Sequence, residues 1–135
     1  MSTPEGSLTS AQHEIMEVVW ESAAQGASVA EIWRAIAARR PVGRTTILNL
    51  VDRLEKRSWL VRRQRQKPCR YVAALGREQT AALLARGFVD DFFGGSAHNL
   101  VMSLLGSQRL KPQEIEQLRK ILESTVRQSR EKKGQ

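Results

Sequence analysis

The sequence is poor in the residues that build disulfides and most metal sites, because its 135 residues include one cysteine and two histidines. A single cysteine, Cys69, cannot form an internal disulfide, which fits a reducing cytoplasm. One cysteine and two distant histidines also give no zinc-type ligand cluster. We therefore expect a cytoplasmic protein that needs no metal and no other cofactor.

Long apolar runs are also absent, and none approaches the length of a membrane span. The N-terminal "MSTPEGSLTS" is polar and lacks the apolar core of a signal peptide. Residues 1–7 are expected to form a loose leader. His13 and His98 fall in separate predicted helices, without a Ser-His-Asp set, paired carboxylates or a phosphate-binding glycine loop. These absences disfavour an enzyme and any membrane association of the chain's own.

Positive charge is abundant, and it is concentrated in one segment. The formal net charge is +8 and the sequence pI is about 10.6, which predicts a polyanionic partner. Residues 34–70 contain twelve Lys/Arg and two Asp/Glu, whereas the remainder of the chain contains ten and twelve. A surface made basic for solubility would not concentrate charge in this way, so the segment is predicted to bind the partner.

Two helices are predicted before the third one, and the second of them overlaps the start of the basic segment, residues 34–70. Thr9 followed by Gln12, and Ser28 followed by Glu31, are capping-box patterns that predict helix starts. Apolar residues recur at helical spacing after each of them. Gly26 ends the first helix and "RRPVG" ends the second, because glycine and proline disfavour continuation.

The third predicted helix lies within "VGRTTILNLVDRLEKR", residues 42–57. One face is apolar and is formed by Ile47, Leu50, Val51 and Leu54. Two short strands, Leu60–Arg65 and Arg70–Ala74, follow around a "QKPC" turn. Three helices and a basic hairpin predict a mainly α protein with a winged helix-turn-helix DNA-binding domain over residues 1–75.

The polar face of the third helix carries short hydroxyls, an amide and arginines in place of alternating Glu and Lys. In the DNA major groove, asparagine can read adenine, while threonine and leucine can contact thymine methyls. Asp52 would repel phosphate and is expected to pair with Lys56. The basic hairpin suits contact with the DNA backbone or minor groove. The predicted DNA-binding residues are Arg44, Thr45, Thr46, Leu48, Asn49, Arg53, Arg63, Arg65 and Arg70.

Three further amphipathic helices are predicted after residue 76, followed by a frayed tail, "RQSREKKGQ". Their apolar faces are too extensive to cover one another, and a second copy of the chain is the simplest cover. Residues 76–135 are therefore predicted to form a helical dimerisation domain. Its predicted contact residues are Leu84, Phe88, Phe92, Leu100, Leu104, Ile115, Leu118 and Leu122.

These segments together resemble the BlaI/MecI/CopY family of winged-helix regulators, the penicillinase repressors. "LTSAQHEIMEVVWE", "RTTILNLVDRLEKRSWLVR" and "FVDDFFGGSAHNLVMSLL" are similar to the family's first helix, recognition helix with first wing strand, and dimerisation region. The resemblance spans residues 8–122. It implies a homodimeric transcriptional repressor that binds an inverted-repeat operator in double-stranded DNA. For antibiotic-resistance regulators of the family it also implies a membrane sensor-protease as inducer partner.

The chain departs from the family pattern at several positions. Thr45 and Leu48 replace the Lys and Arg of many members, which implies a different base preference. Ser58 replaces a glycine at a position where a left-handed backbone suits glycine. Ser103-Leu104 replaces the Asn-Phe pair that is cleaved in antibiotic-responsive members. The C-terminal segment also lacks the cysteines of the copper-responsive branch.

Two other classes of protein remain open from the sequence. An RNA-binding or ribosome-associated basic protein would use the same charge, and competition between duplex DNA and RNA of equal length would separate the two. An adaptor whose winged helix binds an acidic protein would show no sequence preference in a DNA selection experiment.

Overall fold

The computed structural model describes residues 3–133. They form two compact units, the first ending at Gly87 and the second beginning at Phe88. Three helices, a two-stranded sheet and three further helices follow one another, which confirms the mainly α winged helix-turn-helix prediction. The predicted division into functional domains at residue 75 remains a prediction. In chain order the elements are α1 (Ser10–Glu21), α2 (Val29–Ala37), α3 (Arg44–Lys56), β1 (Leu60–Gln64), β2 (Arg70–Ala73), α4 (Arg77–Phe92), α5 (Ala97–Gly106) and α6 (Pro112–Lys133).

Both predicted capping boxes are present. The Thr9 hydroxyl accepts a hydrogen bond from the Gln12 amide N–H at 3.2 Å, and the Gln12 side chain accepts one from the Thr9 N–H at 3.0 Å. Ser28 and Glu31 make the same pair of bonds at 3.2 and 3.3 Å. Because the first turn of a helix leaves its N–H groups without intrahelical acceptors, these bonds fix where α1 and α2 begin.

The core of the first unit is built from one face of each of its first three helices and from the wing. Burial of Ile47, Val51 and Leu54, at helical spacing, turns the opposite face of α3 to solvent. Leu50, the fourth residue of the predicted apolar face, is half-buried and packs against the core. The buried apolar residues are Ile15, Met16, Val19, Ala27, Ile32, Ile36, Ile47, Val51, Leu54, Trp59, Leu60 and Tyr71.

The wing is an antiparallel pair in which Leu60 lies opposite Ala73. Each strand ends one residue earlier than predicted. Strand β2 also pairs with the segment between α1 and α2, because the backbone of Ala27 exchanges two hydrogen bonds with that of Tyr71, each at 2.9 Å. The base of the wing is therefore held on two sides.

The segment ahead of α1 is not the loose leader predicted from its composition. Pro4 is buried, and the Glu5 N–H donates to the Arg57 carbonyl oxygen at 3.0 Å. The indole N–H of buried Trp59 donates to the Glu5 carbonyl oxygen at 2.9 Å. A buried indole N–H needs an acceptor, and this segment supplies it. Met1 and Ser2, which also belong to the predicted leader, lie outside the described part.

The second unit contains the end of α4, then α5 and α6. The Ser96 hydroxyl caps α5 by accepting from the Asn99 N–H at 3.1 Å, and Pro112 opens α6 in its first turn. None of the side chains from residue 88 to 132 is buried. Helix α6 continues to Lys133, so the prediction of a frayed tail is wrong as far as that residue. Gly134 and Gln135 lie outside the described part.

Candidate nucleic-acid interface

The outer face of α3 presents the side chains that were predicted to read bases. Thr45, Thr46 and Asn49 are exposed along it. Leu48 lies between them and is 51% exposed, so the core does not use it. Short polar groups around one apolar side chain match the donors, acceptors and thymine methyls of major-groove base edges. The structure thus brings these four predicted residues to one surface.

Arginines lie at both ends of this face. Arg44 begins α3 and Arg53 lies in its last turn, and both are exposed. Neither forms an ion pair with any carboxylate in the described part of the chain. Asp52 pairs with Lys56 at 3.0 Å as predicted, which offsets the one negative charge near this face. Both guanidinium groups are therefore available to a polyanion.

The start of α3 carries a contact that the sequence reasoning missed. The guanidinium carbon of Arg44 lies 4.7 Å from the centre of the Trp33 ring, in a cation–π contact. The helical spacing of Trp33 with Ile32 and Ile36 predicts that its side chain is buried. In the structure its indole N–H donates to the Val42 carbonyl oxygen at 2.8 Å and the side chain is half-buried. The residue type could have indicated this partial burial, because tryptophan combines an apolar ring with a polar N–H group that needs an acceptor.

The three predicted wing arginines fall into two groups. Arg63 donates to the Ala24 carbonyl oxygen at 2.6 Å. Arg70 donates to the Gly26 carbonyl oxygen at 3.2 Å and to the Glu31 carboxylate at 2.7 Å. Arg65 is exposed and makes no ion pair within residues 3–133. The wing is therefore held by hydrogen bonds from two of these arginines, and Arg65 is the one of the three whose guanidinium has no partner within residues 3–133.

Glu31 joins the wing to α2 through its carboxylate. Desolvation raises the pKa of this carboxyl, but hydrogen bonds from the side chain and backbone of Ser28 and the charge of Arg70 outweigh it. The net effect is a pKa below the ordinary value of 4.5. The carboxylate therefore stays charged at neutral pH, where it caps α2 and holds Arg70 at the same time.

Arg62 takes part in a similar contact on the other side of the wing. Its guanidinium donates twice to the Glu55 carboxylate, at 3.2 and 3.0 Å. This hydrogen bonding raises the pKa of Arg62 above its ordinary value. The pair ties β1 to the last turn of α3, so that helix and the wing are joined by an ion pair.

A second surface, in the second unit, is apolar. Phe92 is 71% exposed and Leu122 is 60% exposed, although both are large apolar side chains. Leu100 is half-buried, and Leu84 belongs to the first unit, where it packs against the core. Exposure of many large apolar side chains in one unit is typical of an interaction surface. The other exposed apolar residues are Phe88, Val101, Met102, Leu104, Leu105, Ile115, Leu118, Ile121 and Val126.

Metal-ligand clusters and membrane-spanning helices are not found among the described residues. Among residues 3–133 there is no group of three His, Cys, Asp or Glu side chains that could hold a metal ion. In the same range no helix has the length and apolar character needed to cross a bilayer. Cys69 is half-exposed at the end of the wing turn, and its thiol lies 3.4 Å from the Arg65 carbonyl oxygen.

Three helices, an exposed polar face on the third and a fastened basic wing define a winged helix-turn-helix regulator. The family model described as "Penicillinase repressor" matches residues 8–124, and the chain belongs to that family. The resemblance noted from the sequence is thereby confirmed. The family consists of transcriptional repressors, which are not enzymes, so the non-enzymatic prediction is confirmed as well.

Curated relatives agree with this assignment. The chain is 27% identical over 115 residues to the methicillin resistance regulatory protein MecI of Mammaliicoccus sciuri, covering 85% of this chain and 92% of that protein. It is 26% identical, with the same coverage, to MecI of Staphylococcus aureus strain N315. It is 25% identical over 122 residues to the penicillinase repressor of Staphylococcus aureus, covering 90% of this chain and 95% of that protein.

Proposed function

We propose that the protein is a homodimeric repressor that blocks transcription by binding an inverted-repeat operator in double-stranded DNA. The single observation that carries this proposal is the exposed α3 face of Thr45, Thr46, Leu48 and Asn49 within the most basic segment of the chain. Membership of a repressor family supports it. The proposed place of action is the cytoplasm.

In this proposal α3 lies in the major groove. Asn49 is suited to bond an adenine edge with both groups of its amide, and Leu48 is suited to contact a thymine methyl. Arg44 and Arg53 flank these residues and would bond phosphates, which position the helix without reading sequence. Arg65 would contact the backbone or minor groove beside it. Arg63 and Arg70 would act by holding the wing in place.

The proposed dimer rests on the apolar surface of the second unit. A second copy of the chain would cover side chains such as Phe92, Leu118 and Leu122, which water now contacts. Two-fold pairing also matches the symmetry of an inverted repeat, because each copy would place one α3 in one half-site. The two parts of the proposal therefore support each other.

A membrane sensor-protease is the proposed inducer partner, as the family resemblance implies. The residues that replace the family's cleaved pair, Ser103 and Leu104, are exposed but lie inside α5. Helical backbone is hydrogen-bonded internally, so cleavage there would require α5 to unwind locally. Incubation with the sensor's protease domain, followed by mass measurement of the products, tests this route.

A competition experiment tests nucleic-acid binding. Labelled duplex DNA is displaced by equal lengths of unlabelled duplex DNA or RNA, over a range of salt concentrations. We expect DNA to compete better and affinity to fall steeply with salt, because phosphate neutralisation releases counterions. Arg65→Ala should weaken binding, whereas Arg130→Ala, which removes an exposed arginine of the second unit, should not. Better competition by RNA would overturn the proposal in favour of an RNA-binding protein.

Sedimentation equilibrium tests the dimer. The unaltered chain should sediment at twice its mass of 15.2 kDa. Leu118→Glu should shift it toward the monomer, because a charge would enter the proposed interface. The neighbouring Gln117→Glu is the control, since it adds the same charge at an exposed polar position. A monomeric unaltered protein at all concentrations would overturn this part.

A further inference from the structure

We propose that Trp33 is a positioning residue, which holds the guanidinium of Arg44 ready for a DNA phosphate. This inference rests on the proposed function and adds a residue from α2 to it. It starts from the cation–π contact, in which the Arg44 guanidinium carbon lies 4.7 Å from the Trp33 ring centre. The contact joins an exposed cation of the recognition helix to a half-buried residue of the helix before it.

The geometry leaves the hydrogen-bonding groups of Arg44 free. A guanidinium that stacks on a ring uses its flat face, whereas its five N–H donors point outward in the plane. No carboxylate among the described residues forms an ion pair with Arg44. The cation–π contact therefore restricts where the cation lies without pairing it to a carboxylate, and its N–H donors can bind a phosphate in bidentate fashion.

A second tryptophan–arginine pair in the first unit shows the contrast. Arg77 lies 5.5 Å from the ring centre of Trp20, but it also donates to the Glu17 carboxylate at 2.7 Å. Arg77 is thus paired with a carboxylate of the protein itself, and the ion pair joins α4 to α1. Tryptophan and arginine therefore form a structural contact at Trp20 and Arg77. At Trp33 and Arg44 the arginine has no carboxylate partner among the described residues, so its N–H donors can bind a ligand.

Trp33 is itself anchored on two sides. Its body packs against the core, and its indole N–H donates to the Val42 carbonyl oxygen at 2.8 Å. Val42 precedes Gly43, the N-cap of α3, which has no side chain to form a cap. The hydrogen bond from the indole therefore stabilises the turn that leads into Arg44. The same bond restricts rotation of the ring that Arg44 contacts.

The expected gain is one of preorganisation. An arginine side chain that is immobilised on binding loses conformational freedom, and a prior contact with a ring removes part of that loss. Loss of the ring should thus weaken DNA binding by up to about 10-fold. It should not alter sequence preference, because a phosphate contact carries no sequence information directly.

A double-mutant cycle tests the inference. Affinity for one duplex is measured for the unaltered protein, Trp33→Leu, Arg44→Ala and the double variant, and thermal unfolding is followed in parallel. We expect Trp33→Leu to weaken binding in the presence of Arg44 and to have little further effect once Arg44 is alanine. Trp33→Phe should retain most of the coupling, because it keeps an aromatic face. Arg44→Ala should also reduce the salt dependence by about one released counterion.

The outcomes separate this inference from the proposed function. If the unaltered protein binds DNA and Trp33→Leu weakens binding equally with and without Arg44, then Trp33 is only structural and the inference is overturned. If the unaltered protein does not bind DNA, both proposals fall. Should Trp33→Leu fail to fold, Trp33→Met replaces it, since its flexible apolar chain fills the site without a ring.

Discussion

The backbone N–H of Trp59 donates to the Leu54 carbonyl oxygen at 2.9 Å, across the end of α3. Between them, the Ser58 N–H donates to the Glu55 carbonyl oxygen at 3.0 Å. These two bonds form a Schellman motif, and Ser58 has the positive φ of 67° that the motif requires. The motif sends the chain directly from α3 into the wing, so both proposed DNA-contacting elements depend on this turn.

Ser58→Gly should stabilise the protein. A left-handed backbone destabilises the folded protein by roughly 1–2 kcal/mol when the residue has a Cβ, and glycine removes this strain. Glycine also stabilises the unfolded chain by about 0.5–1 kcal/mol through its greater conformational freedom, which offsets part of the gain. We expect the free energy of unfolding in urea to rise by about 0.5–1 kcal/mol. Ser58→Ala is the control and should bring no gain, because it keeps the Cβ. A glycine variant no more stable than the unaltered protein would contradict the strain argument.

Arg65→Ala and Arg70→Ala should differ, although both remove an arginine from the wing. Arg65→Ala should weaken binding to every duplex alike and leave the unfolding midpoint unchanged, since Arg65 is exposed and makes no ion pair within residues 3–133. Arg70→Ala should lower stability by on the order of 1 kcal/mol, because it removes bonds to a carboxylate and a carbonyl. The opposite pattern would show that Arg70 is the DNA contact.

The contact between Glu31 and Arg70 should make stability depend on pH. Since the pKa of Glu31 is lower in the folded protein than its ordinary value, the contribution of the carboxylate is fully present above about pH 4.5. It is lost as the pH falls through the folded-state pKa. Thermal midpoints of the unaltered protein and Glu31→Gln should therefore differ at pH 7 and converge as the pH falls below the folded-state pKa. An unchanged difference at low pH would contradict this assignment.

Thr80→Val should raise the free energy of unfolding, because the Thr80 hydroxyl is buried without a hydrogen-bond partner among the described residues. The side chain is 1% exposed, and within residues 3–133 its oxygen has no hydrogen-bond partner. Replacing an unsatisfied buried hydroxyl by a methyl group should gain on the order of 1 kcal/mol in a urea titration. Thr80→Ser keeps the hydroxyl, removes the methyl and should destabilise. A less stable valine variant would contradict the absence of a hydrogen-bond partner for this hydroxyl.

Local features of the sequence predicted most of the fold. The capping boxes at Thr9 and Ser28, the apolar face of α3 and the hairpin all depend on residues a few positions apart, so periodicity and capping chemistry suffice to find them. The exposed polar face of α3 followed from the same pattern, because burial of one side determines the other.

Contacts between distant segments could not be predicted in this way. Arg70 meets Glu31 across 39 positions, and the acceptor for the Trp59 indole lies 54 positions away in the supposed leader. Whether an arginine faces DNA or a carbonyl of its own chain depends on how β2 pairs with Ala27. No local pattern encodes that pairing, which is why all three wing arginines looked alike from the sequence.

The most direct test of the account is selection of binding sites from a pool of random duplexes, carried out with the unaltered protein, Asn49→Ala and Asn99→Ala. The unaltered protein and the Asn99→Ala control should enrich the same inverted repeat. Asn49→Ala should lose preference at one base pair in each half, a change of about 1–3 kcal/mol in discrimination. Enrichment of the identical repeat by Asn49→Ala, or of no repeat by the unaltered protein, would contradict the claim that α3 reads DNA sequence.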